Sequence, residues 1–467
     1  MFRSKFLFAL MTSCVALLIA SCARQTRVET APEVTFTKSV ASILYAHCVS
    51  CHHAGGIGPM PLLTYAQAKP FSALIRDRVV KRIMPPWFAD APLGEFSNDP
   101  RLSDAEIHTI TAWVDQGAPE GEPKALPPQP HFVGHWVNGQ PDAVFSMAKE
   151  FTVPAHGRGV YAHIEIPTHF KDDKWVRAFQ VLPGNPRVVH HASLGIVLPA
   201  LRAKTRKKGK PHNSPDKKYM YKAAGLDYVR MDAPVINDGC STPWGGEFPG
   251  DKTVWEDQSG PGDLGNIGVY LPGRRVENLA PGYAIRIPAG AVLHLTMHYM
   301  PMGTPEKDRT QIGFWFAKGP IKARVQRVNI QNMLFKIPAR DPDFRQTSCY
   351  TFPAAVQILS YTIHMHYRGK SATIYALYPN GKQETLFSIP HYNFDWQLKY
   401  ILQRPKPIPK GTVIKTVYYD DNSRANPSNP DPSKAVRYGD PSDAEMTETL
   451  MEFVISRKER AMLAARR

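Results

Sequence analysis

Two histidines near the middle of the second half of the chain have the spacing of metal ligands. In the stretch "SYTIHMHYRG", His364 and His366 alternate with the apolar residues Ile363 and Met365. Successive side chains of a β-strand point to opposite faces, so the two imidazoles share one face. Neutral imidazoles that lie side by side can converge on one metal ion. The pattern predicts a metal site on a strand, and a wet sheet face is the alternative interpretation.

A second chemical motif lies near the N-terminus, in "AHCVSCHH". Cys48, Cys51 and His52 have the C-x-x-C-H spacing of c-type haem attachment. Two thiols can bond covalently to the porphyrin vinyl groups while the adjacent imidazole binds the iron. A methionine thioether is expected as the second axial ligand. Met84 in "IMPPW" is the preferred candidate, and Met60 in "GPMPLL" is the alternative.

Further histidines and a methionine extend the metal-ligand pattern. His190 and His191 are adjacent in "VVHHAS", His298 lies in "LTMHYM", and Met446 lies in the polar stretch "DAEMTE". Three imidazoles suit copper in either oxidation state, whereas two imidazoles and a thioether favour Cu(I) with an open position. Adjacent residues point to opposite faces of a regular strand, so a metal shared by His190 and His191 requires a bulge or strand end. His294 is a fallback for His298, but a hydrogen bond beside the site is the preferred interpretation of His294.

Helical patterns surround the C-x-x-C-H motif. Apolar residues from Phe36 to Leu44 have helical spacing. A second helix is expected between residues 65 and 83, with Pro70 in its first turn and its end before Pro85. A third begins at Ser103, with Glu106 completing a capping box. The sequence therefore predicts a small all-α domain over residues 36–121. His47, His53 and His108 are expected at its surface.

After a Pro-rich linker at residues 122–132, the pattern changes to short alternating strands separated by Gly, Pro and Asn. Such spacing is typical of all-β sandwiches. Two β domains are expected, at residues 133–320 and 321–456. In the second, "YPNGK" predicts a hairpin whose Asn-Gly suits a type I′ turn. His391 in "IPHYNFDW" is interpreted as structural.

Charge and length limit the function classes. The chain has 467 residues with 57 Lys and Arg against 41 Asp and Glu, a net charge of +16. Part of the positive charge is concentrated in residues 202–218 and in a basic tail at 457–467. Neither stretch contains interleaved aromatics for base stacking. Solvated basic loops are the favoured interpretation, and no nucleic-acid partner is expected.

The first residues are typical of an export signal. A positive start, "MFRSK", precedes a short apolar run that ends in "IASC". This looks like a bacterial lipoprotein signal over residues 1–21, with Cys22 acylated and residues 22–35 as a linker. We expect a lipoprotein anchored to a membrane on the periplasmic side. In such an oxidising compartment Cys240 and Cys349 could form a disulfide, and two separate thiols are the alternative.

The helical block, with its haem motif and "MPP" segment, resembles a small class I cytochrome c domain. The β region, about residues 133 to 455, resembles the copper type II, ascorbate-dependent monooxygenases, which include peptidylglycine α-hydroxylating and dopamine β-monooxygenases. The resemblance rests on the order and spacing of the ligands and on the stretches "FDWQLKYIL" and "YYDDNSRANPSNPDP". It implies one copper at His190, His191 and His298, and a second, O2-binding copper at the catalytic set His364, His366 and Met446.

The chain departs from this family where peptide-amidating members grip a substrate carboxylate. An arginine two residues before His-x-His is replaced by Thr362, and supporting Asn and Tyr residues are replaced by Glu448 and Leu450. A fused haem domain is the other departure. The resemblance implies two coppers facing each other across an open cleft, with O2 and an organic substrate as partners. An external donor would supply electrons through the haem to the three-histidine copper and then to the other.

Overall fold

The structure is a computed structural model. It describes residues 33–54, 56–130, 136–157, 159–197, 220–223, 226–229, 240, 263–271, 276–439 and 442–456. The expected signal at 1–21, the lipidated Cys22, the basic stretch 202–218 and the tail 457–467 lie outside these residues. Within the ranges described, no helix is both long and apolar enough to cross a bilayer.

Helices dominate the N-terminal region. They are α1 (Ala41–His47), α2 (Tyr65–Ala68), α3 (Ser72–Val80) and α4 (Asp104–Asp115), with a π-helical turn at Phe36–Val40 and 3-10 turns at Lys69–Phe71 and Pro123–Ala125. Their apolar faces meet around Phe36 and Trp113, which are fully buried. Ser103 and Glu106 form the expected capping box of α4.

The prediction of one continuous helix between residues 65 and 83 was wrong. The segment divides into α2 and α3, because Pro70 occupies a 3-10 turn between them and has no backbone N–H for a helical hydrogen bond. Helix α3 also ends at Val80, and Arg82 has a positive φ of 51°. His53 was expected at the surface but is 7% exposed, and its Nδ1 lies 2.9 Å from the carbonyl oxygen of Val49.

The rest of the described chain is mainly β-structure, as expected, and its first part forms a sandwich. One sheet has the order β1-β13-β4-β10-β14 with β9 beside β4, and the other has the order β3-β11-β5-β8. Alternate residues of both sheets fill one apolar core. The strands of this part are β1 (Ala143–Ser146), β2 (Phe151–Val153), β3 (Val160–Pro167), β4 (Lys174–Leu182), β5 (Val189–Val197), β6 (Met220–Ala223), β7 (Leu226–Val229), β8 (Asp263–Tyr270), β9 (Glu277–Asn278), β10 (Tyr283–Ile287), β11 (Val292–Tyr299), β12 (Glu306–Asp308), β13 (Gln311–Phe316) and β14 (Ala323–Arg324).

A second sandwich follows. Its sheets have the orders β15-β24-β18-β21 and β17-β22-β19-β20, and they enclose a separate apolar core. Sheet partners change between β14, which pairs with β10, and β15, which pairs with β24. The strands are β15 (Gln326–Gln331), β16 (Lys336–Ile337), β17 (Phe344–Thr351), β18 (Val356–Met365), β19 (Gly369–Leu377), β20 (Gln383–Ile389), β21 (Lys399–Ile408), β22 (Val413–Asp420), β23 (Val436–Arg437) and β24 (Thr447–Ile455).

Two local features test the sequence patterns of the second sandwich. β19 and β20 form the expected hairpin, but only Gly381 of its Asn-Gly pair has positive φ, 83°. A type I′ turn needs positive φ at both residues, so the prediction of that turn type was wrong.

Cys349 on β17 and Cys240 have Cα atoms 4.9 Å apart and sulfur atoms at bonding distance. This Cα separation is within the range that disulfides span.

The segment at residues 84–98 connects the helical region to the second sandwich. Phe96 is 3% exposed and belongs to the core of that sandwich. The backbone N–H of Ser97 donates to the carbonyl of Ile401 at 2.8 Å, and Phe96 forms a β-bridge with Leu402. The segment that begins at Met84 is therefore packed against the second sandwich.

Candidate metal centre

A β-bulge brings His190 and His191 to the same place. On β11, His298 pairs with His191, and the next residue, Tyr299, pairs with Val189. His190 is therefore the extra residue of the bulge, which turns its side chain away from the face that a regular strand would give it. A metal shared by these residues required a bulge or a strand end, and a bulge is present.

The three-histidine group consists of His190, His191 and His298. Its candidate ligand atoms all lie within 4.8 Å of one another. The Nδ1 atoms of His190 and His191 are 3.0 Å apart. Tyr161 stacks on the His298 ring with centroids 4.3 Å apart and planes 7° apart. Gly159 packs so closely on His298 Nε2 that a side chain there would collide with the ring.

Burial keeps the three-histidine group neutral. Burial lowers the pKa of His190 and holds that of His191 well below its ordinary value, with neighbouring imidazoles adding to the shift of His191. For His298, burial and then the nearby histidines lower the pKa to about 3. The Nδ1 atom of His298 is buried and has no hydrogen-bond partner. Neutral imidazoles with available lone pairs are the form that binds a metal ion.

The His-Met group consists of His364, His366 and Met446. The rings of His364 and His366 lie on the same face with centroids 5.1 Å apart. Met446 immediately precedes β24, which pairs with β18, so the thioether and both histidines line one cavity. Burial holds the pKa of His366 well below its ordinary value. Its Nδ1 is also buried without a hydrogen-bond partner.

The cavity beside the His-Met group has a volume of about 220 Å³ and lies between the two sandwiches. His191 also lines it, and its ring centroid is 6.0 Å from that of His364. The two groups thus lie next to each other, where the resemblance implied opposite walls of an open cleft. The remaining lining residues are Tyr161, His163, Ser193, Val269, Leu271, Thr296, Thr362, Gln397, Glu448 and Leu450.

His294, the fallback ligand, lies outside the three-histidine group. Its Nδ1 is 3.9 Å from a carboxylate oxygen of Glu165, and its ring contacts His163 at 5.6 Å. The separation from Glu165 is too long for a hydrogen bond, so the interpretation of His294 as a hydrogen-bonded neighbour of the site stays a prediction. His163 lies in the cavity and was missed, because a single histidine on a strand gives no pattern that distinguishes it from a surface residue.

Two further residues next to the histidines were missed. Gln397 accepts a hydrogen bond from His364 Nδ1 at 2.6 Å, and Phe394 stacks on His190 at 5.2 Å. Both lie in the loop between β20 and β21, where no periodicity is available to assign a side chain to a face. The stretch "FDWQLKYIL" includes both residues and was part of the resemblance, but the resemblance gave neither residue a role.

The C-x-x-C-H motif follows α1. His52 Nδ1 lies 3.0 Å from the carbonyl oxygen of Met60, an arrangement that leaves Nε2 for another partner. Gly58 lies against the same ring, and a Cβ there would collide with it. Burial, together with Cys51, raises the pKa of Cys48 to about 12. The motif therefore presents an oriented imidazole and a neutral thiol.

Met84 lines a second cavity, of about 310 Å³, between the helical region and the second sandwich. Trp87 lines it too, and its buried indole N–H has no hydrogen-bond partner. His391, interpreted as structural, contributes to the wall from the second sandwich. Met60 contacts His52 through its backbone carbonyl, which lies 3.0 Å from Nδ1.

Comparisons with known proteins leave the family open. No protein-family model matches the chain, and no curated protein does. Among solved structures, the major capsid protein P2 of bacteriophage PM2 is 9% identical with a TM-score of 0.22, covering 68% of this chain and 99% of its own. A putative secreted protein from Eubacterium rectale is 9% identical with a TM-score of 0.17, over 64% and 69%. The mavirus major capsid protein is 8% identical with a TM-score of 0.18, over 72% and 90%. Likenesses this weak carry no functional argument.

Proposed function

We propose that the chain is a copper-dependent monooxygenase that hydroxylates a C–H bond and receives electrons through a fused c-type haem. The observation that carries the proposal is the pair of buried ring nitrogens without partners, one in each histidine group, at His298 and His366. Buried polar atoms are nearly always satisfied, so such atoms need an explanation. A bound metal ion at each group would supply it.

The residues fit copper at both groups. The three-histidine group offers imidazoles alone, while His364, His366 and Met446 add a soft thioether, which favours Cu(I). Copper, when bound, supplies the redox chemistry by which O2, two electrons and two protons convert a C–H bond to C–OH and water. Burial keeps His366 and the imidazoles of the three-histidine group neutral, and the His-Met group lines a cavity of about 220 Å³ that would take a small substrate.

The N-terminal region fits a haem. Cys48 and Cys51 are not joined in a disulfide, and His52 is oriented by the Met60 carbonyl with Nε2 available. A hydrogen bond from the other ring nitrogen fixes the orientation of a metal-binding histidine. Met84 is the preferred methionine ligand for the haem iron, and Met60 is the alternative. A haem there would supply one-electron steps.

The proposal includes export. Haem attachment through C-x-x-C-H and copper loading both suit a chain translocated to the periplasm, where we place it as a lipoprotein anchored through Cys22. An external reductant, a redox protein or a small molecule, would be the electron source. Nucleic acid has no place in this function.

The deciding experiment uses protein purified from the periplasm. We expect one haem that resists acid-acetone extraction, two copper ions bound in preference to zinc, and substrate-dependent O2 consumption by the reduced protein. Extractable haem or a preference for zinc would contradict the cofactors. Full cofactor loading without O2 consumption across a substrate screen would instead favour a non-catalytic copper and haem electron-transfer or copper-binding lipoprotein.

A further inference from the structure

The side chain of Gln397 is hydrogen-bonded to His364 of the His-Met group and to the backbone of Phe394, whose ring contacts the three-histidine group. It lies in the loop between β20 and β21 and is 6% exposed. Its Oε1 accepts a hydrogen bond from His364 Nδ1 at 2.6 Å, and its Nε2 donates to the carbonyl oxygen of Phe394 at 3.2 Å. An amide can accept and donate at once, and this arrangement uses both capacities.

The hydrogen bond to the Phe394 carbonyl connects Gln397 indirectly to the first sandwich, through the Phe394 ring. Phe394 stacks on the His190 ring, with centroids 5.2 Å apart and planes 18° apart, and contacts Tyr367 at 4.5 Å. Because Gln397 closes the short turn from residue 394 to 397, it holds the backbone from which the Phe394 ring reaches His190. The loop belongs to the second sandwich, whereas His190 belongs to the first.

The first bond determines which nitrogen of His364 is available. The Gln397 Oε1 can only accept, so His364 must carry its proton on Nδ1. In the neutral ring the lone pair is then on Nε2, which is the nitrogen that can bind a metal ion. Such hydrogen bonds to metal-binding histidines typically change metal affinity 10–100-fold when they are removed.

We propose that Gln397 is a positioning residue that couples the two histidine groups. It fixes the tautomer of His364 through its Oε1, and it holds Phe394 against His190 through its Nε2. For copper the inference rests on the proposed function, but the tautomer of His364 and the packing of Phe394 do not require a metal.

The acceptor and donor roles of the Gln397 amide can be tested separately. Gln397→Glu retains an acceptor for His364 and loses the donor to Phe394. Gln397→Leu loses both, and Phe394→Leu removes the stacked ring while keeping apolar volume. Gln383→Leu, at an exposed position on β20, is a matched control for the change of Gln to Leu. Circular dichroism and thermal unfolding check that each variant folds.

Nitrogen-15 NMR of the metal-free protein reads the His364 tautomer directly. We expect Nδ1–H in the wild type, in Gln397→Glu, in Phe394→Leu and in the control, and a mixture of tautomers in Gln397→Leu. Unchanged tautomers in Gln397→Leu would overturn the first half of the proposal. This result stands whether or not the protein binds copper.

Copper titration followed by EPR tests the coupling. In Gln397→Leu we expect copper affinity at the His-Met group to fall 10–100-fold, and Gln397→Glu to restore it to within about threefold. The EPR signal of copper at the three-histidine group should change in Phe394→Leu, in Gln397→Glu and in Gln397→Leu. A three-histidine signal that changes in Phe394→Leu alone would overturn the coupling. A wild type that binds no copper would count against the proposed function and leave the tautomer result intact.

Discussion

The two histidine groups use the same residue type in different surroundings. In the three-histidine group the ligand atoms face one another within 4.8 Å, and the rings are covered by Tyr161 and Phe394. In the His-Met group, His364 and Met446 face a cavity of about 220 Å³. His191 lines the same cavity, so the two groups differ in their ligand types and not in their access to it. Three imidazoles suit copper in either oxidation state, whereas two imidazoles and a thioether favour Cu(I) with an open position.

The difference begins in the strands. His364 and His366 share a face because they are two residues apart, which needs no irregularity. His190 and His191 can converge only because β5 bulges opposite His298. The bulge turns His190 toward His191 and His298, whereas the regular strand alone places His364 and His366 side by side.

Loss of His298 should have the largest effect. His298→Ala removes one of three ligands from the three-histidine group, so we expect bound copper to fall from two ions to one. The remaining ion should keep a Cu–S contribution in X-ray absorption, because Met446 is untouched. Elemental analysis gives the stoichiometry. Loss of both ions would mean that the groups form one centre, which the 6.0 Å contact between His191 and His364 would then explain.

The next effect concerns the ionic contacts that hold the sandwiches together. Lys399 is 7% exposed and pairs with Glu277 of the first sandwich and Glu452 of the second. Burial alone would raise the pKa of Glu452, but Arg327 and Lys399 outweigh it and hold that pKa well below its ordinary value. Removing one partner of a buried ion pair costs about 3–5 kcal/mol.

We therefore expect Lys399→Met to lower the free energy of unfolding by about 3 kcal/mol or more in urea titrations. Lys406→Met on the same strand is the control, because its pair with Glu384 is about one-third exposed on both sides and such pairs contribute about 1 kcal/mol or less. Equal effects of the two substitutions would mean that the buried network does not join the sandwiches.

Met446 should have a smaller and more local effect. Met446→Ala removes only the thioether, so we expect copper affinity at the His-Met group to fall about tenfold, or about 1.4 kcal/mol. The three-histidine group should keep its ion, and the Cu–S contribution of the reduced protein should disappear. A sulfur signal that persists would require another methionine. Met451 cannot supply it without rearrangement, because it is fully buried in the core of the second sandwich.

The sequence predicted most of this arrangement where a period or a capping pattern carried the information. Alternation placed His364 and His366 on one face, and the adjacency of His190 and His191 predicted a bulge or a strand end, of which the structure has the bulge. Gln397 and Phe394 could not be predicted, because their positions depend on a loop that meets the other sandwich. The sequence placed Pro70 in the first turn of one helix, whereas it lies in a 3-10 turn between two helices. The effect of a proline depends on where the preceding turn begins, which helix propensity does not determine.

The smallest expected effect concerns the substrate. Thr362, Glu448 and Leu450 line the cavity beside the His-Met group. The resemblance to peptide-amidating enzymes implies that these positions correspond to their carboxylate-binding residues. Thr362 lies opposite Leu450 on β24, which puts Glu448 at the diagonal position. A carboxylate entering here would meet a carboxylate, so we expect no useful turnover of glycine-extended peptides by the wild type.

Thr362→Arg should raise the affinity for such peptides only slightly, about tenfold or less, although an arginine–carboxylate pair in a desolvated cleft is worth about 2–5 kcal/mol. The reason is that the new guanidinium would be neutralised by Glu448 at the diagonal position. Adding Glu448→Asn removes that competitor, so the double variant should bind more tightly than the two single variants predict. Isothermal titration with a glycine-extended peptide and its amidated counterpart measures the difference, because only the former has the carboxylate. Additive effects would mean that Glu448 does not face Thr362, and efficient turnover by the wild type would show that another cation grips the carboxylate.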